Sequence, residues 1–370
     1  MARTDLSYTM SRETRATMSM RFVAPLFAVA AFLFAGCLSG PGKSDGLPDD
    51  GPQLVDADGW TPSRPVLPSG WPEALWPADN PYSHAKAILG RRLFFEARLS
   101  ADQSISCGSC HKVGSAFADA QRRFSTGVMG QQTGRNSPTV ANALFATSFM
   151  HDGRLPTLEA QALAPLLSPV EMGMTKAVIE SVLAADTFYV ALFERAYGAG
   201  PVTLDGVAKA LATYQRLLTS SDSPYDRWVA GDSAALAPAA RRGADVFFGA
   251  KGGCVQCHAP PLFTDGGFHN TGLYADTRDS GRAHVTKNPA DLARFKTPTL
   301  RNAAVTWPYM HDGSIETLAE VVAHYNNGGR AHPNADARMR PLGLTMQESA
   351  DLVAFLEALS DSAYLANYRP

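Results

Sequence analysis

Two short segments carry the chemistry of this chain: Cys107-Gly108-Ser109-Cys110-His111 and Cys254-Val255-Gln256-Cys257-His258. In a Cys-x-x-Cys-His run, two thiols can add across the vinyl groups of a haem, and the adjacent histidine ligates the iron from one face. Two runs predict two covalently held haem c groups, with Cys107, Cys110, Cys254 and Cys257 as attachment points and His111 and His258 as iron ligands. The motifs leave the opposite face of each iron to the rest of the chain. A filled sixth position makes an electron relay; an open one admits a small oxidant.

The elements that must supply those opposite faces recur in two copies. Gly90-Arg91-Arg92-Leu93-Phe94-Phe95 precedes the first motif and Gly243-Ala244-Asp245-Val246-Phe247-Phe248 the second. Phe149–Arg154 matches Tyr309–Ser314, and each is followed by Thr-Leu, at Thr157-Leu158 and Thr317-Leu318. In the second copy Thr317 and Glu320 form a capping box. Leu318, Val321, Val322 and Tyr325 then share one helical face, which makes Tyr325 a candidate sixth ligand. An ordinary buried tyrosine is the competing reading, and His324, His311, His332 and Met339 are alternative ligands. Counting from Thr157, the position of Tyr325 becomes Pro165, which has no ligating atom. No histidine lies between Lys112 and Met150, and Met129 is the only loop candidate. The first haem is therefore expected to have an open or water-bound face. Gln161 and Glu171 follow in that half. An amide can position a peroxide and a carboxylate can move its proton, although either residue alone reads equally as a solvated helix face.

The expected fold class is mainly α and loop-rich: two cytochrome c-like haem domains related by internal duplication. Val207, Ala210, Leu211, Tyr214, Leu217 and Leu218 fall on one helical face, and Ser220–Asp232 reads as a linker. Thr345 and Glu348 cap a last helix carrying Leu352, Phe355, Leu356 and Leu359. No set of alternating strands is evident. The expected boundaries are 69–232 for a peroxidatic N-terminal haem domain and 233–370 for an electron-transfer C-terminal one. With 33 basic and 35 acidic residues in 370, and no basic stripe, the composition excludes a nucleic-acid partner. Residues 1–36 read as a signal peptide: Arg12, Arg15 and Arg21 precede the apolar run Phe22–Phe34, which is too short to span a membrane. Phe34-Ala35-Gly36-Cys37 reads as a lipoprotein cleavage box, with an ordinary signal peptide or uncleaved anchor as the alternative. Residues 37–68 read as a flexible tether. Four of the five cysteines are taken by haem and the fifth is Cys37, so none remains for a disulfide. Haem attachment of this kind places the protein outside the bacterial cytoplasm, in the periplasm, touching a membrane only through a lipid on Cys37.

From about Asp79 to Ser360 the chain resembles the bacterial dihaem cytochrome c peroxidases of the family that includes the MauG enzymes. The resemblance rests on an ordered set: Leu89–Phe95 with Arg98-Leu99-Ser100, Ser106–His111, Arg135–Thr139, Asp152-Gly153-Arg154, Glu159-Ala160-Gln161, Glu171-Met172, Phe295–Asn302 and Pro308–Gly313. It implies that the N-terminal haem is the peroxide site and the C-terminal haem the relay. It implies that Gln161 and Glu171 are the distal glutamine and glutamate. It also implies one calcium ion between the domains, held by the Asn136 side chain and the carbonyls of Thr306 and Pro308, oxygen donors that suit Ca²⁺.

Tyr325, in the run His324–Gly329, is similar to the MauG-type enzymes, where peroxidases usually carry methionine. His151 stands where the family usually has a tryptophan relay, and Trp307 is a substitute candidate. No tryptophan occurs in Gly249–Gly253, where MauG-type enzymes have a surface one. The resemblance implies reduction of hydrogen peroxide, with electrons from a small exported cytochrome or cupredoxin. The alternatives are a MauG-like oxidase acting on a protein substrate and a non-catalytic dihaem carrier. A homodimer is compatible with the sequence.

Overall fold

The computed structural model describes residues 59–74, 76–276 and 278–367. The expected signal peptide, Cys37 and most of the expected tether lie outside the described residues. Those residues form twelve α-helices joined by turns and short 3₁₀ segments, with one two-stranded sheet. Among them no helix is long and apolar enough to cross a membrane.

The first half contains α1 (His84–Phe94), α2 (Cys107–Cys110), α3 (Leu158–Leu167), α4 (Lys176–Ala184), α5 (Thr187–Tyr197) and α6 (Leu204–Leu217). The second contains α7 (Pro224–Val229), α8 (Pro238–Phe248), α9 (Ala283–Thr286), α10 (Leu318–Asn326), α11 (Met346–Glu357) and α12 (Ser362–Asn367). Strand β1 (Phe268–His269) pairs antiparallel with β2 (Phe295–Lys296), with Phe268 opposite Lys296.

The duplication is visible in packing. In the first half α1 crosses α6, and a Cβ on Gly90 would stand 2.0 Å from the Ala210 carbonyl oxygen. In the second, α8 crosses α11, and a Cβ on Gly243 would stand 1.9 Å from the Asp351 carbonyl oxygen. Both crossings need backbones in contact, which only glycine permits. One turn beyond each glycine, an aromatic ring anchors the core. Phe94 packs on Phe117 and Tyr214, at 6.0 and 5.3 Å between ring centres. Phe247 packs on Phe263 and Phe355, at 5.8 and 5.0 Å. Gly243→Ala should overpack the second crossing and cost about 1–3 kcal/mol. A lower thermal midpoint than that of the parent protein would show it, and an unchanged midpoint would mean the helices can separate freely.

Three expectations about the connections are corrected. Ser220–Asp232 is not merely a linker. Ser223 and Asp226 form a capping box with Pro224 in the first turn of α7, and Tyr225 packs in the second core against Phe263 and Phe355. Fully buried Arg301 clasps Asp226 through both terminal nitrogens, each at 2.7 Å. The chain therefore enters the second core at Ser220–Asp222, before the expected boundary at 232. There Asp361 Oδ2 accepts from Ser220 Oγ and from the backbone N–H of Ser221 and Asp222.

The end of the expected tether is docked: Trp60 packs edge-on to Tyr214 at 5.9 Å, with Arg91 over its ring. A half-buried indole offsets the ordering cost that a free tether avoids. Finally, α12 belongs to the first core, where Tyr364 packs on Phe117 at 6.1 Å.

Candidate haem sites

Each Cys-x-x-Cys-His run leads into a turn that fixes its histidine. His111 Nδ1 donates to the Phe117 carbonyl at 2.9 Å, and His258 Nδ1 donates to the Phe263 carbonyl at 3.0 Å. Those bonds place the proton on Nδ1, so each Nε2 presents a lone pair, the form that binds a metal. Burial lowers both histidine pKa values, keeping the rings neutral. Phe117 and Phe263 each adopt positive φ, +58° and +54°, which turns their carbonyls back toward the ring. Burial pushes the Cys107 thiol up to about 12 and the Cys254 thiol up to about 11. Burial raises the other two thiols as well, so all four are protonated at neutral pH until haem is attached.

Beside the first motif is a cavity lined by Cys107, Cys110, His111, Gln161, Pro165 and Glu171. It shares those last four residues with a larger space of about 800 Å³ that runs between the halves. That size lies within the range of cofactor sites. Two thiols, one available imidazole nitrogen and an apolar wall form a donor set that fits haem c.

The opposite wall comes from α3. Thr157 caps it by accepting from the Ala160 N–H at 3.1 Å, and Gln161 and Pro165 follow on the side facing the cavity. Glu171 sits in the turn beyond, where its N–H donates to the Ser168 carbonyl. Neither the Gln161 amide nor the Glu171 carboxylate has a side-chain hydrogen-bond partner among the described residues, so both are available to a ligand. Met129, the candidate cap for this site, is 76 % exposed and lines neither cavity.

The second site differs at the matching position. Thr317 and Glu320 cap α10 reciprocally, at 2.9 and 3.2 Å. Eight residues after Thr317 comes Tyr325, as Pro165 follows Thr157. Burial raises the Tyr325 pKa, and Cys257 and Cys254 add to the rise. Tyr325 is half-buried, with its phenol near the second pair of attachment thiols. Three of the alternative ligands, the histidines, have contacts of their own. His324 Nε2 donates to the Thr271 carbonyl at 3.0 Å, His332 Nδ1 meets the Asn270 amide at 3.0 Å, and His311 stacks on Phe295 at 3.7 Å.

A family model described as di-haem cytochrome c peroxidase matches residues 84–234, and a cytochrome c model matches residues 240–360. The cytochrome-c peroxidase IdrP1 of Denitromonas iodatirespirans is 39 % identical over 317 residues, 77 % of this chain and 84 % of that protein. This chain belongs to the di-haem cytochrome c peroxidase family. The methylamine utilization protein MauG of Methylorubrum extorquens is 40 % identical over 286 residues, covering 76 % of this chain and 80 % of that one. Among solved structures, a MauG-like protein associated with microbial copper homeostasis superposes with a TM-score of 0.78 at 37 % identity, over 82 % of this chain and 97 % of that one. Membership in the di-haem peroxidase family makes this chain a peroxidase-like oxidoreductase, and its two cytochrome c domains imply haem c in each.

Several features of this di-haem peroxidase relative were not legible in its sequence. Gly127 is one. A Cβ there would stand 2.0 Å from the Val170 carbonyl oxygen and 2.9 Å from Glu171 Cα, while the Val128 N–H donates to the Glu171 carbonyl at 2.8 Å. Gly127 therefore lets one loop clamp the backbone of Glu171. Its φ of −92° is ordinary, so nothing in the sequence announces the close approach. Gly127→Ala should shift Glu171 and lower peroxide turnover on the order of 10²-fold with haem content unchanged. Parental turnover in a fully loaded variant would remove the clamp from the account.

The expected relay and calcium residues have clear places. His151 lines the large cavity and donates from Nε2 to the Asn136 carbonyl at 2.8 Å; burial lowers its pKa to about 4, so it is neutral. Trp307 is 38 % exposed, and its carbonyl accepts from the Gln121 N–H. The Asn136 amide donates to the carbonyls of Arg122 and Arg123, at 3.1 and 3.3 Å. This brings Asn136 beside the turn Gln121–Arg123, whose Gln121 N–H meets the Trp307 carbonyl between Thr306 and Pro308. Cys257, Asp265 and His269 also converge to within 4.8 Å. Cys257 becomes a thioether on haem attachment, and His269 is held between Asp265 and Asp336 at 2.9 and 2.8 Å, so no separate metal is assigned there.

Proposed function

We propose that this protein reduces hydrogen peroxide at the N-terminal haem site, with two electrons relayed through the C-terminal one from a small exported cytochrome or cupredoxin. The observation that carries this reading is the cavity shared by His111, Gln161, Pro165 and Glu171, which offers no second ligating side chain at the α3 position. Bound haem would supply an iron that exchanges electrons with the peroxide. The chain's own residues handle the protons and the geometry. Glu171 accepts a proton from the nearer peroxide oxygen and returns it to the farther one, which leaves as water. The Gln161 amide orients the peroxide so that this transfer is short. Overall, one peroxide, two protons and two electrons yield two waters. His111 is held in its ligating tautomer by Phe117, and His258 by Phe263.

The proposed organisation is a peroxidatic domain over 69–232 and a relay domain over 233–370, with the cross-packing of α7 and α12 described above. Tyr325 is proposed as the relay's second axial ligand, with His151 or Trp307 between the sites. A Ca²⁺ on Asn136, Thr306 and Pro308 would use neutral oxygen donors. Export with a lipid on Cys37 completes the reading.

A second reading is a MauG-like oxidase that modifies a protein partner, and Tyr325 favours it. A phenolate stabilises oxidised iron, whereas a thioether raises the potential. Steady-state consumption of peroxide with reduced cytochrome c separates the two readings. Rapid, stoichiometric cytochrome oxidation supports the peroxidase. Negligible oxidation, together with long-lived storage of both oxidising equivalents, supports the MauG-like reading.

A further inference from the structure

The cations lining the large cavity differ in how their charge is met. Arg135 binds Asp279 through Nε and Nη2, at 2.7 and 2.9 Å, and Asp152 through Nη1 at 2.7 Å. Arg154 pairs with the same Asp152 at 3.0 Å. Lys296 lines this cavity too and is partly buried. Its Nζ donates to the Ser148 carbonyl at 2.6 Å and lies 5.7 Å from the centre of the Phe149 ring. Among the described residues no carboxylate forms an ion pair with it. Burial alone lowers its pKa, with no acidic neighbour pulling the other way. An ammonium taken out of water and met only by one carbonyl and one ring is poorly compensated.

The position of this lysine is fixed. Its backbone N–H donates to the His151 carbonyl at 2.8 Å, and it pairs with Phe268 across the two-stranded sheet. The side chain thus leaves the second half and reaches Ser148 and Phe149 of the first. The cavity it enters contains His111 but not His258, and through His111, Gln161, Pro165 and Glu171 it adjoins the cavity lined by Cys107 and Cys110. Haem carries two propionate carboxylates, anions of the kind this ammonium lacks.

We propose that Lys296 binds a propionate of the haem attached at Cys107 and Cys110, so that the second half contributes a cation to the cofactor of the first. The inference rests on haem attachment at that motif. It has two consequences. A charge-assisted hydrogen bond forms between the halves once the cofactor is in place. A positive charge near the iron also favours its reduced state, so Lys296 raises the potential of the first haem.

The test uses the haem-loaded protein and its Lys296→Met and Lys296→Arg variants. Pyridine haemochrome spectra first count the haems, which checks attachment independently of the lysine. Resonance Raman spectra of the ferrous protein then read the propionate-bending band, and spectroelectrochemistry reads both midpoint potentials. In Lys296→Met the band of the first haem should shift and its potential fall, with the second haem unchanged; Lys296→Arg should restore both. A fully loaded Lys296→Met with the parental band and potential, or with changes confined to the second haem, would overturn the proposal. Should Lys296→Met fail to load both haems, Lys296→Gln keeps a donor while losing the charge, and its first-haem potential should still fall. In the parent protein the same band should move on exchange into D₂O, and insensitivity to exchange would overturn the proposal without any variant.

Discussion

Replacing Glu171 by glutamine should lower peroxide turnover by about 10²–10⁴-fold, the usual contribution of a positioned acid–base group. That corresponds to roughly 3–5 kcal/mol of transition-state stabilisation at about 1.4 kcal/mol per decade. Glutamine has nearly the same shape, so the bond from the Val128 N–H to the residue-171 carbonyl should persist. Haem content and the spectrum of the second site should be unchanged, because Glu171 lies beside the first attachment motif, and Cys254, Cys257 and His258 line neither cavity that contains it. What disappears is the ability to take a proton from one peroxide oxygen and return it to the other. The measurement is steady-state peroxide consumption with reduced cytochrome c, alongside a haem count. Turnover within a few-fold of the parent would remove Glu171 from the chemistry and leave water as the proton carrier.

Replacing Tyr325 by methionine should have its main effect on the other haem. A thioether in place of a phenol favours the reduced iron, and axial-ligand choices span about 0.8 V of potential. A rise on the order of 0.1 V or more is expected for the second site, with a changed low-spin ferric signal. Tyr325→Phe separates ligation from packing, since it preserves the ring and deletes the oxygen. If both variants keep the parental signal and potential, the ligand is another residue. His324, whose Nε2 is held by the Thr271 carbonyl, would then have only Nδ1 to offer.

The features legible in the sequence were those whose physics is local. Haem attachment needs two thiols and an imidazole within five residues, and the chain states them twice. The helix-capping boxes at Thr317 and Thr345 formed as their spacing required, because a cap involves only residues three apart. The contrast between Pro165 and Tyr325 followed from a repeat that could be aligned by counting. Long-range features were not legible. The Gly127 clamp on Glu171 and the reach of Lys296 to Ser148 depend on which segments meet in space. The docking of Trp60 on Tyr214 and the return of α12 to the first core are of the same kind. The helix α7 is different. Its Ser223-Pro224-Tyr225-Asp226 start carries both a proline suited to a first turn and a capping box, a local signal that the linker-like composition of Ser220–Asp232 concealed. His151 is a mixed case. Its place in the repeat was plain, but its neutral state follows from burial and a bond to the Asn136 carbonyl.

The two related sites are asymmetric at the matching helix position, Pro165 in α3 and Tyr325 in α10. Electron paramagnetic resonance of the resting, fully oxidised protein reads that asymmetry directly. One high-spin and one low-spin ferric signal, in equal amounts, is the predicted result. Two low-spin signals, with neither changed by added peroxide or other small ligands, would contradict it and make the protein a carrier of electrons.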